Sequence, residues 1–214
     1  MTILGPARRQ ELEEILIGME RDLEEKDAVR ELALKSSRAV ARLSVSAVGA
    51  LHRDKEVARY LDEAREEAGK LGSLLKEHPD LYFSGFVENA HQDMTEAAVA
   101  YSLLRDAPLP RPEDLGVTNR AYLLGLGDVV GELRRHALER MGKGDVEAGR
   151  EALEAMEVLY EGLMRFDYPR AVAAVKRKQD IARSLVEKTR GEVAVAVRTR
   201  ELERKLEERF GQSD

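Results

Sequence analysis

Three features of this 214-residue sequence predict an all-α fold. Charged residues make up 36% of the chain and hydrophobic residues 43%, a balance typical of amphipathic helices. Apolar residues recur every three to four positions through long stretches, as they do along the buried face of a helix. The chain has no Trp and only 6 Pro, and Pro108, Pro110 and Pro112 are gathered in one segment. Most of the chain is therefore free of helix breakers.

Three helices are predicted before this proline-rich segment. The first runs from about Ala7 to His52 and is longer than most globular helices, which suggests a spine for the fold. The second covers about Glu56 to Lys76. Pro79 suits the first turn of a third helix, which we expect to continue to about Arg105.

Four more helices are predicted after the proline-rich segment, which we interpret as a central loop. Thr118 or Asn119 can cap a fourth helix reaching about Met141, and Asp145 can cap a fifth helix reaching about Phe166. Pro169 is expected to start a sixth helix. The charge-rich stretch from Gly191 to Phe210 is expected to form a seventh. No internal repeat is visible, and residues 1–214 are expected to form a single domain.

The composition excludes several classes of function. The chain contains no Cys, so disulfides, thiolate zinc sites and cysteine nucleophiles are absent, and a cytoplasmic location is expected. No apolar stretch of the length of a membrane span or a signal peptide occurs, so no membrane partner is expected. The net charge is −6, which argues against a strongly basic nucleic-acid binder, although the middle third is acidic and the last part is basic.

Two acidic pairs lie in otherwise apolar helical stretches and predict a divalent-metal site. Asp93 and Glu96 are three residues apart, and Asp128 and Glu132 are four apart, so each pair shares one helix face. A carboxylate among apolar residues needs a compensating charge. Oxygen ligands without thiolates favour Mg²⁺, or Mn²⁺, over zinc. Alternatively, these acids form a structural ion-pair network with nearby arginines: Arg38, Arg42, Arg134 and Arg135.

Three glycines surround the acids of the fourth helix, Gly125, Gly127 and Gly131. Glycine in a helix interior costs about 0.5–1 kcal/mol relative to Ala. The cluster therefore indicates either close packing of a neighbouring helix or close approach of a ligand, and the sequence leaves both open.

Other motifs carry less weight. Glu88 and His91 form the E-x-x-H unit of di-iron helical bundles, but such sites need two copies and this chain has one. The segments GLGDVVG and GKGD lack the spacing and the preceding strand of nucleotide-binding loops. We interpret His52, His78 and His136 as surface or boundary residues. The stripe formed by Lys35, Arg38 and Arg42 is either a phosphate-binding surface or a solvated helix face.

Four segments taken together resemble the translin family. They are LALKSSRAVARLSVSAVGALHR, HQDMTEAAVAY, NRAYLLGLGDVVGELRRHALERMGKGD and FDYPRAVAAVKRKQDIARSLVEKTRGEV. Their order and spacing match from about Arg30 to Val193. Within the family the chain is most similar to translin-associated factor X, the nuclease partner, in a compact prokaryotic or archaeal version assembled from one subunit type.

This resemblance implies a seven-helix bundle, assembly into a closed octameric barrel and Mg²⁺-dependent ribonuclease activity on the inner surface. Asp93, Glu96 and Asp128 occupy the positions of the family's catalytic carboxylates, with Glu132 as the adjoining Glu. Asp93 stands where a Glu is expected, which shortens one ligand by a methylene. The arginine-rich stretch of translin before the third-helix acids is replaced here by YFSGFVENAHQD, which has no basic residue.

The resulting hypothesis is an endoribonuclease that cleaves single-stranded or short duplex RNA. Asp93, Glu96 and Asp128 bind the metal, Glu132 completes the catalytic set, and RNA contacts are made by Lys35, Arg38, Arg42, Arg134 and Arg135. One alternative is a non-catalytic, translin-type oligomer that binds single-stranded RNA or DNA. Another is a helical scaffold whose charged last helix binds a protein partner.

Overall fold

The computed structural model describes residues 4–210, and every regular element in that range is a helix. The prediction of an all-α fold is therefore confirmed. Eight helices are described, of which two are single turns: α1 (Pro6–Leu51), α2 (Ala58–Leu74), α3 (Pro79–Tyr82), α4 (Gly85–Leu104), α5 (Pro112–Leu115), α6 (Asn119–Gly142), α7 (Val146–Met164) and α8 (Lys176–Phe210). None of the described helices has the length and apolar character needed to cross a membrane.

The long first helix is confirmed, but only its second half belongs to the core. The first buried residue of α1 is Ala33, and buried positions then follow at three-to-four spacing through Ser37, Val40 and Ser44. The preceding part of α1 has several exposed apolar side chains, among them Leu16 and Leu23. α1 is therefore a core helix with an N-terminal extension that nothing in its own chain covers within the described residues.

The predicted third helix is interrupted. Residues 79–82 form the single turn α3, and α4 starts only after Ser84, whose backbone is extended (φ −73°, ψ 155°). The Ser84 hydroxyl donates a hydrogen bond to the Leu81 carbonyl at 2.6 Å, so the side chain satisfies a backbone group at the break. Gly85, a weak helix former, follows directly. Local side-chain bonding thus outweighs the helical pattern at this point.

The predicted sixth and seventh helices were wrong at their boundaries. Pro169 lies in a turn, where its carbonyl accepts hydrogen bonds from the amides of Val172 and Ala173. The final helix is continuous from Lys176 to Phe210 and runs through Gly191 without a break. Gly191 is exposed, while Thr189 and Val193 beside it are buried. Packing of those neighbours offsets the modest cost of one helical glycine.

The predicted caps and the central loop are confirmed. Thr118 Oγ1 accepts the Ala121 amide at 3.1 Å at the start of α6, and Asp145 Oδ1 accepts the Ala148 amide at 3.1 Å at the start of α7. The proline-rich segment is a loop that contains only the one turn α5. Both caps satisfy amides that have no partner within their helix, which fixes where α6 and α7 begin.

α6 is the central helix of the bundle. It packs against α4, α7 and α8, while α1 packs against α2 and α4. Its core face carries Val129, Val130 and Leu133, none of which is more than 1% exposed. The main core continues through apolar residues of α1, α2, α4, α7 and α8. The acidic residues of α6 are therefore held on a helix that is fixed from several sides.

Close packing explains two of the three glycines on α6. A Cβ on Gly125 would lie 2.6 Å from the Thr95 Cβ and 2.8 Å from the Gln92 carbonyl oxygen of α4. A Cβ on Gly127 would lie 2.7 Å from the Cβ of Lys178 on α8. Gly131 has nothing within 4 Å of the corresponding position. α4 and α8 can thus approach α6 only because these two residues lack side chains.

Replacing Gly125 with Ala should destabilise the protein by about 1–3 kcal/mol, because the added methyl would press α6 against the backbone of α4. Gly131→Ala on the same helix is the matched control. It should raise the free energy of unfolding by about 0.5–1 kcal/mol, because Ala favours the helix and meets no neighbour. Urea denaturation of the two variants measures both changes, and equal effects would contradict the packing assignment.

Candidate active site

The first acidic pair lies on α4 at the edge of the core. Asp93 and Glu96 are both half-buried, and Met94 and Thr95 between them are fully buried. The helical spacing places the two carboxylates on one face, as predicted. Their apolar flanks are what fix α4 in the bundle, so the two acids cannot move away from the core without unpacking the helix.

The second pair lies on α6, on the side that faces α4 and α8. Asp128 and Glu132 are half-buried, and the glycines at 125 and 127 precede or adjoin them. Because Gly125 allows α6 to lie directly on Thr95 of α4, the two acidic pairs come close together. The charge of Asp128 acts on both Asp93 and Glu96, and the charge of Glu132 acts on Glu96. The structure therefore unites the two predicted pairs into one cluster of four carboxylates.

A pocket of about 330 Å³ adjoins this cluster. Its floor includes Asp93, Glu96 and Glu132, and its α1 side includes Gly49 and the exposed side chain of Arg53. Arg53 folds back along α1, so that its guanidinium lies over Gly49. Three of the four acids are thus accessible from one opening, with a cation at its rim.

Burial and mutual repulsion make the α4 acids hard to ionise. Burial, together with the negative charges of Asp128, Glu132 and Asp93, raises the pKa of Glu96 to about 8. Burial, and then the charge of Asp128, also raises the pKa of Asp93. At neutral pH the Glu96 carboxyl therefore tends to keep its proton when no cation is bound. A bound divalent cation would reverse this tendency.

Asp128 is the best compensated acid of the cluster. Its Oδ1 forms an ion pair with Lys178 Nζ of α8, and its Oδ2 accepts a hydrogen bond from Gln92 Nε2 at 2.5 Å. Neither Lys178 nor Gln92 was predicted as a site residue. Lys178 lies 50 residues from Asp128 along the chain, so no local pattern could have linked the two. Gln92 could have been noted, because it adjoins Asp93.

Glu132 is held by His52, a histidine interpreted from the sequence as a surface or boundary residue. The side chain of His52 is only 1% exposed, and its Nε2 lies 2.5 Å from Glu132 Oε2. Its Nδ1 is 3.5 Å from Glu139 Oε2 and has no hydrogen-bond partner within residues 4–210. The residue as a whole is half-buried, in line with a boundary position, but its ring is enclosed. His52 directly follows the last residue of α1, and its ring contacts two acids of α6.

The other histidines lie outside the carboxylate cluster. His91 is buried, and burial lowers its pKa to about 4, so it is neutral. Glu88 of the E-x-x-H unit pairs instead with Arg120 at 3.1 Å. His78 and His136 are half-buried, and burial lowers the pKa of His136.

The predicted RNA-contacting residues separate into two groups. Lys35, Arg38 and Arg42 are exposed on α1, and no ion pair in residues 4–210 involves them. Arg134 instead binds Glu192 of α8 through both guanidinium nitrogens, at 2.6 and 2.9 Å, and also Thr189. Arg135 lies 3.1 Å from Glu139 and 4.0 Å from Glu132. The alternative, in which the four acids themselves pair with these arginines, therefore does not apply to Arg134, whose partner Glu192 lies outside the cluster, and only Arg135 approaches a cluster acid.

The side chains of the cluster are of the type that binds a hard divalent cation, but their oxygens are not arranged around a common metal position. All four side chains offer carboxylate oxygens, which Mg²⁺ and Mn²⁺ prefer. Within residues 4–210, however, no three His, Asp or Glu side chains are gathered in ligating positions. The interactions of Asp128 account for this, because its two oxygens already face Lys178 and Gln92. A cation bound to Asp128 would therefore compete with Lys178 for this carboxylate.

A model of the translin family matches residues 25–193, which is most of the chain. This chain belongs to the translin family. The match includes all four cluster acids and Lys178, and it confirms the resemblance recognised in the sequence.

Relatives agree with this membership. An uncharacterized protein of Methanocaldococcus jannaschii is 34% identical over 187 residues, which cover 86% of this chain and 83% of that protein. The structure of AfC3PO in complex with duplex RNA superimposes with a TM-score of 0.79 at 33% identity, and covers 86% of this chain and 97% of that one. Apo-NeC3PO, at 24% identity and a TM-score of 0.76, shares the fold over 85% of this chain and 96% of its own.

Glu96→Gln should remove a pH dependence of stability in EDTA. The folded-state pKa of Glu96 is about 8, above the ordinary value of 4.5 for a glutamate. The contribution of protonated Glu96 to the free energy of unfolding is therefore complete below about pH 4.5 and is lost as the pH rises through about 8. Gln resembles the protonated acid, so the variant should match the wild type at about pH 4. At pH 9 it should exceed the wild type by about 1–3 kcal/mol.

Urea denaturation of both proteins across this pH range measures the difference. Glu151→Gln, at an exposed acid of α7, is the control and should leave the pH profile unchanged. A constant difference between Glu96→Gln and the wild type at all pH values would contradict the assignment.

Proposed function

We propose that this protein is a metal-dependent endoribonuclease whose site is formed by Asp93, Glu96, Asp128 and Glu132. The observation that carries the proposal is the concentration of four half-buried carboxylates beside an open pocket, where Glu96 resists ionisation until a cation arrives. Without a bound cation, repulsion within such a cluster lowers the free energy of unfolding. Acidic residues that destabilise the fold in this way are typical of functional sites. Mg²⁺ is the proposed ion, and Mn²⁺ satisfies the same ligands.

The chain's own residues divide the work as follows. Asp93 and Glu96 of α4 and Asp128 of α6 hold the cation. When bound, it supplies charge neutralisation at a phosphate and a lower pKa for water. Glu132 completes the set, and its carboxylate is held in place by Nε2 of His52. Arg135, half-exposed beside Glu132, is placed to meet a phosphate oxygen that enters the pocket.

A basic stripe on α1 leads to this pocket and supports RNA as the substrate. Lys35, Arg38 and Arg42 share one face of α1 with the pocket residue Gly49, because spacings of three, four and seven residues stay on one side of a helix. At 1.5 Å per residue, the stripe starts about 20 Å from the Gly49 level. The complex of the related AfC3PO with duplex RNA makes RNA the proposed partner.

The extension of α1 supports a homo-oligomer, for which we propose an octamer closed into a barrel. Leu12, Leu16, Met19 and Leu23 are 43–63% exposed and lie on one face of the helix at spacings of four and three residues. A continuous apolar stripe of this kind is typical of an interface. Since the stripe belongs to every copy, a second copy of this chain is the simplest partner.

The alternative function is a non-catalytic oligomer that binds single-stranded RNA or DNA. It is favoured by the interactions of Asp128, whose charge is already balanced by Lys178 and whose oxygens do not point into a shared metal position. In that case the acids would serve packing alone. Cleavage assays separate the two functions directly.

Asp128→Asn should reduce cleavage of a labelled RNA duplex by about 100-fold or more, since even loss of a group outside the metal shell can cost about 10–100-fold. Cleavage by the wild type should require Mg²⁺ and stop in EDTA. Glu151→Gln is the charge-matched control and should cleave normally. Binding of RNA without cleavage by the wild type would instead support the alternative function.

Arg38→Ala and Arg42→Ala should each weaken RNA binding and reduce the slope of log affinity against log salt by about 1, because each removes one phosphate contact. Arg198→Ala, at an exposed residue of α8, is the control. Fluorescence anisotropy with catalytically inactive protein gives both quantities. An unchanged salt slope in both α1 variants would show that the stripe is only a solvated helix face.

Leu16→Glu should disrupt the oligomer, because it places a charge in the centre of the apolar stripe. Arg21→Glu adds the same side chain on the opposite face of α1 and should leave the assembly intact. Light scattering should give the wild type a mass near eight times the 24.0 kDa of one chain. A Leu16→Glu protein of unchanged mass would exclude this stripe from the interface.

A further inference from the structure

Lys178 is the cation most closely tied to the carboxylate cluster, and no motif of the sequence pointed to it. It lies in the first turn of α8, and its side chain is 20% exposed. Its ammonium group is paired with Oδ1 of Asp128. Two arginines, Arg53 and Arg135, also line the pocket, and the nearest contact of Arg135 with a cluster acid is 4.0 Å, to Glu132. Lys178 is therefore the principal positive charge in contact with the cluster in the described chain.

The backbone of α6 is shaped to admit this lysine. A Cβ on Gly127 would lie 2.7 Å from Cβ, 3.0 Å from Cγ and 3.2 Å from Cδ of Lys178. The stem of the lysine thus lies directly against the helix, where any side chain at position 127 would displace it. Lysine stems are otherwise flexible and costly to immobilise. Here packing fixes the stem and leaves the ammonium group as the part that can turn.

The position of the ammonium group conflicts with metal ligation. A cation shared by Asp93, Glu96 and Asp128 needs an oxygen of Asp128, and the two oxygens of Asp128 already contact Lys178 and Gln92. The positive charge of Lys178 also favours ionisation of Asp93 and Glu96, as a metal would. Lys178 therefore performs, in part, the electrostatic role of the proposed ion, and its ammonium group would repel a divalent cation bound to the same carboxylate.

We propose that Lys178 is a displaceable counter-ion of this site. Without a divalent cation its ammonium group neutralises Asp128 and keeps the four acids together. When a divalent cation binds, the ammonium group leaves Asp128 for solvent, and the stem stays packed on Gly127. Lys178 is thus a positioning residue that sets the metal concentration at which the site fills. This inference rests on the proposed metal-dependent function.

The test compares Lys178→Met with wild type by calorimetric titration with Mn²⁺. Lys178→Gln is a second variant that keeps a hydrogen-bond donor for Asp128 but no charge. Removal of the competing charge should tighten Mn²⁺ binding by about 10-fold, the usual scale for a neighbouring charge at this distance. Lys188→Met, at an exposed lysine of the same helix, is the control and should bind like wild type.

Thermal melting gives a readout that needs neither RNA nor activity. In EDTA, Lys178→Met should melt about 2–4 °C below wild type for each kcal/mol that the lost counter-charge contributed. Saturating Mn²⁺ should close this gap, because the ion takes over the neutralisation of Asp128. Lys178→Arg keeps the charge and should retain the stability of the wild type in EDTA.

The outcomes are distinct. Tighter Mn²⁺ binding by both uncharged variants, with a melting gap only in EDTA, supports the inference. Equal or weaker binding by these variants, while wild type binds Mn²⁺ and Asp128→Asn does not, overturns the role of Lys178 and leaves the proposed nuclease intact. Absence of Mn²⁺ binding in wild type and in both variants overturns the metal site itself.

Discussion

The close approach of α6 to α4 and α8 is the constraint on which the rest of this structure depends. At Gly125 the backbone of α6 rests on Thr95 and the Gln92 carbonyl, and at Gly127 it rests on the stem of Lys178. Side chains at these positions would force the three helices apart. The same contacts that make the core compact also bring Asp93, Glu96 and Asp128 within electrostatic range of one another. The contacts that pack α6 against α4 and α8 therefore also form the carboxylate cluster.

This arrangement concentrates negative charge where the bundle is least able to solvate it. The rest of the fold partly compensates: Lys178 and Gln92 hold Asp128, while His52 and Arg135 approach Glu132. Within residues 4–210, Glu96 has no comparable partner, and its raised pKa favours the protonated form. A ligand that binds only the folded, ionised cluster would relieve this repulsion and stabilise the fold in the same step. The cluster is thus costly for the chain on its own, and a bound cation would reduce that cost.

Local sequence patterns predicted the helices, whereas the partners of the acidic residues depend on contacts between residues that are far apart in the sequence. The spacing of apolar residues located the long helices, and Thr118 and Asp145 marked two helix starts because capping is a local interaction. The same spacing could not reveal the break at Ser84, which depends on one side-chain hydrogen bond. Nor could it reveal that the last helix continues through Gly191, which depends on the burial of Thr189 and Val193. The four acids were predictable because each pair shares a helix face. His52 and Lys178 were not, since each meets its acid only after helices far apart in sequence have packed.

The length of α1 ties the site to the state of the whole protein. With 46 residues the helix is about 69 Å long, and only its second half is covered by its own chain. That second half is followed directly by His52, which holds Glu132, and it also forms one wall of the pocket. If neighbouring copies cover the first half, then α1 is part of both the subunit interface and the pocket beside the carboxylate cluster. Dilution would then loosen the support of Glu132 as well as separate the subunits, so protein concentration itself becomes a regulator of the carboxylate cluster.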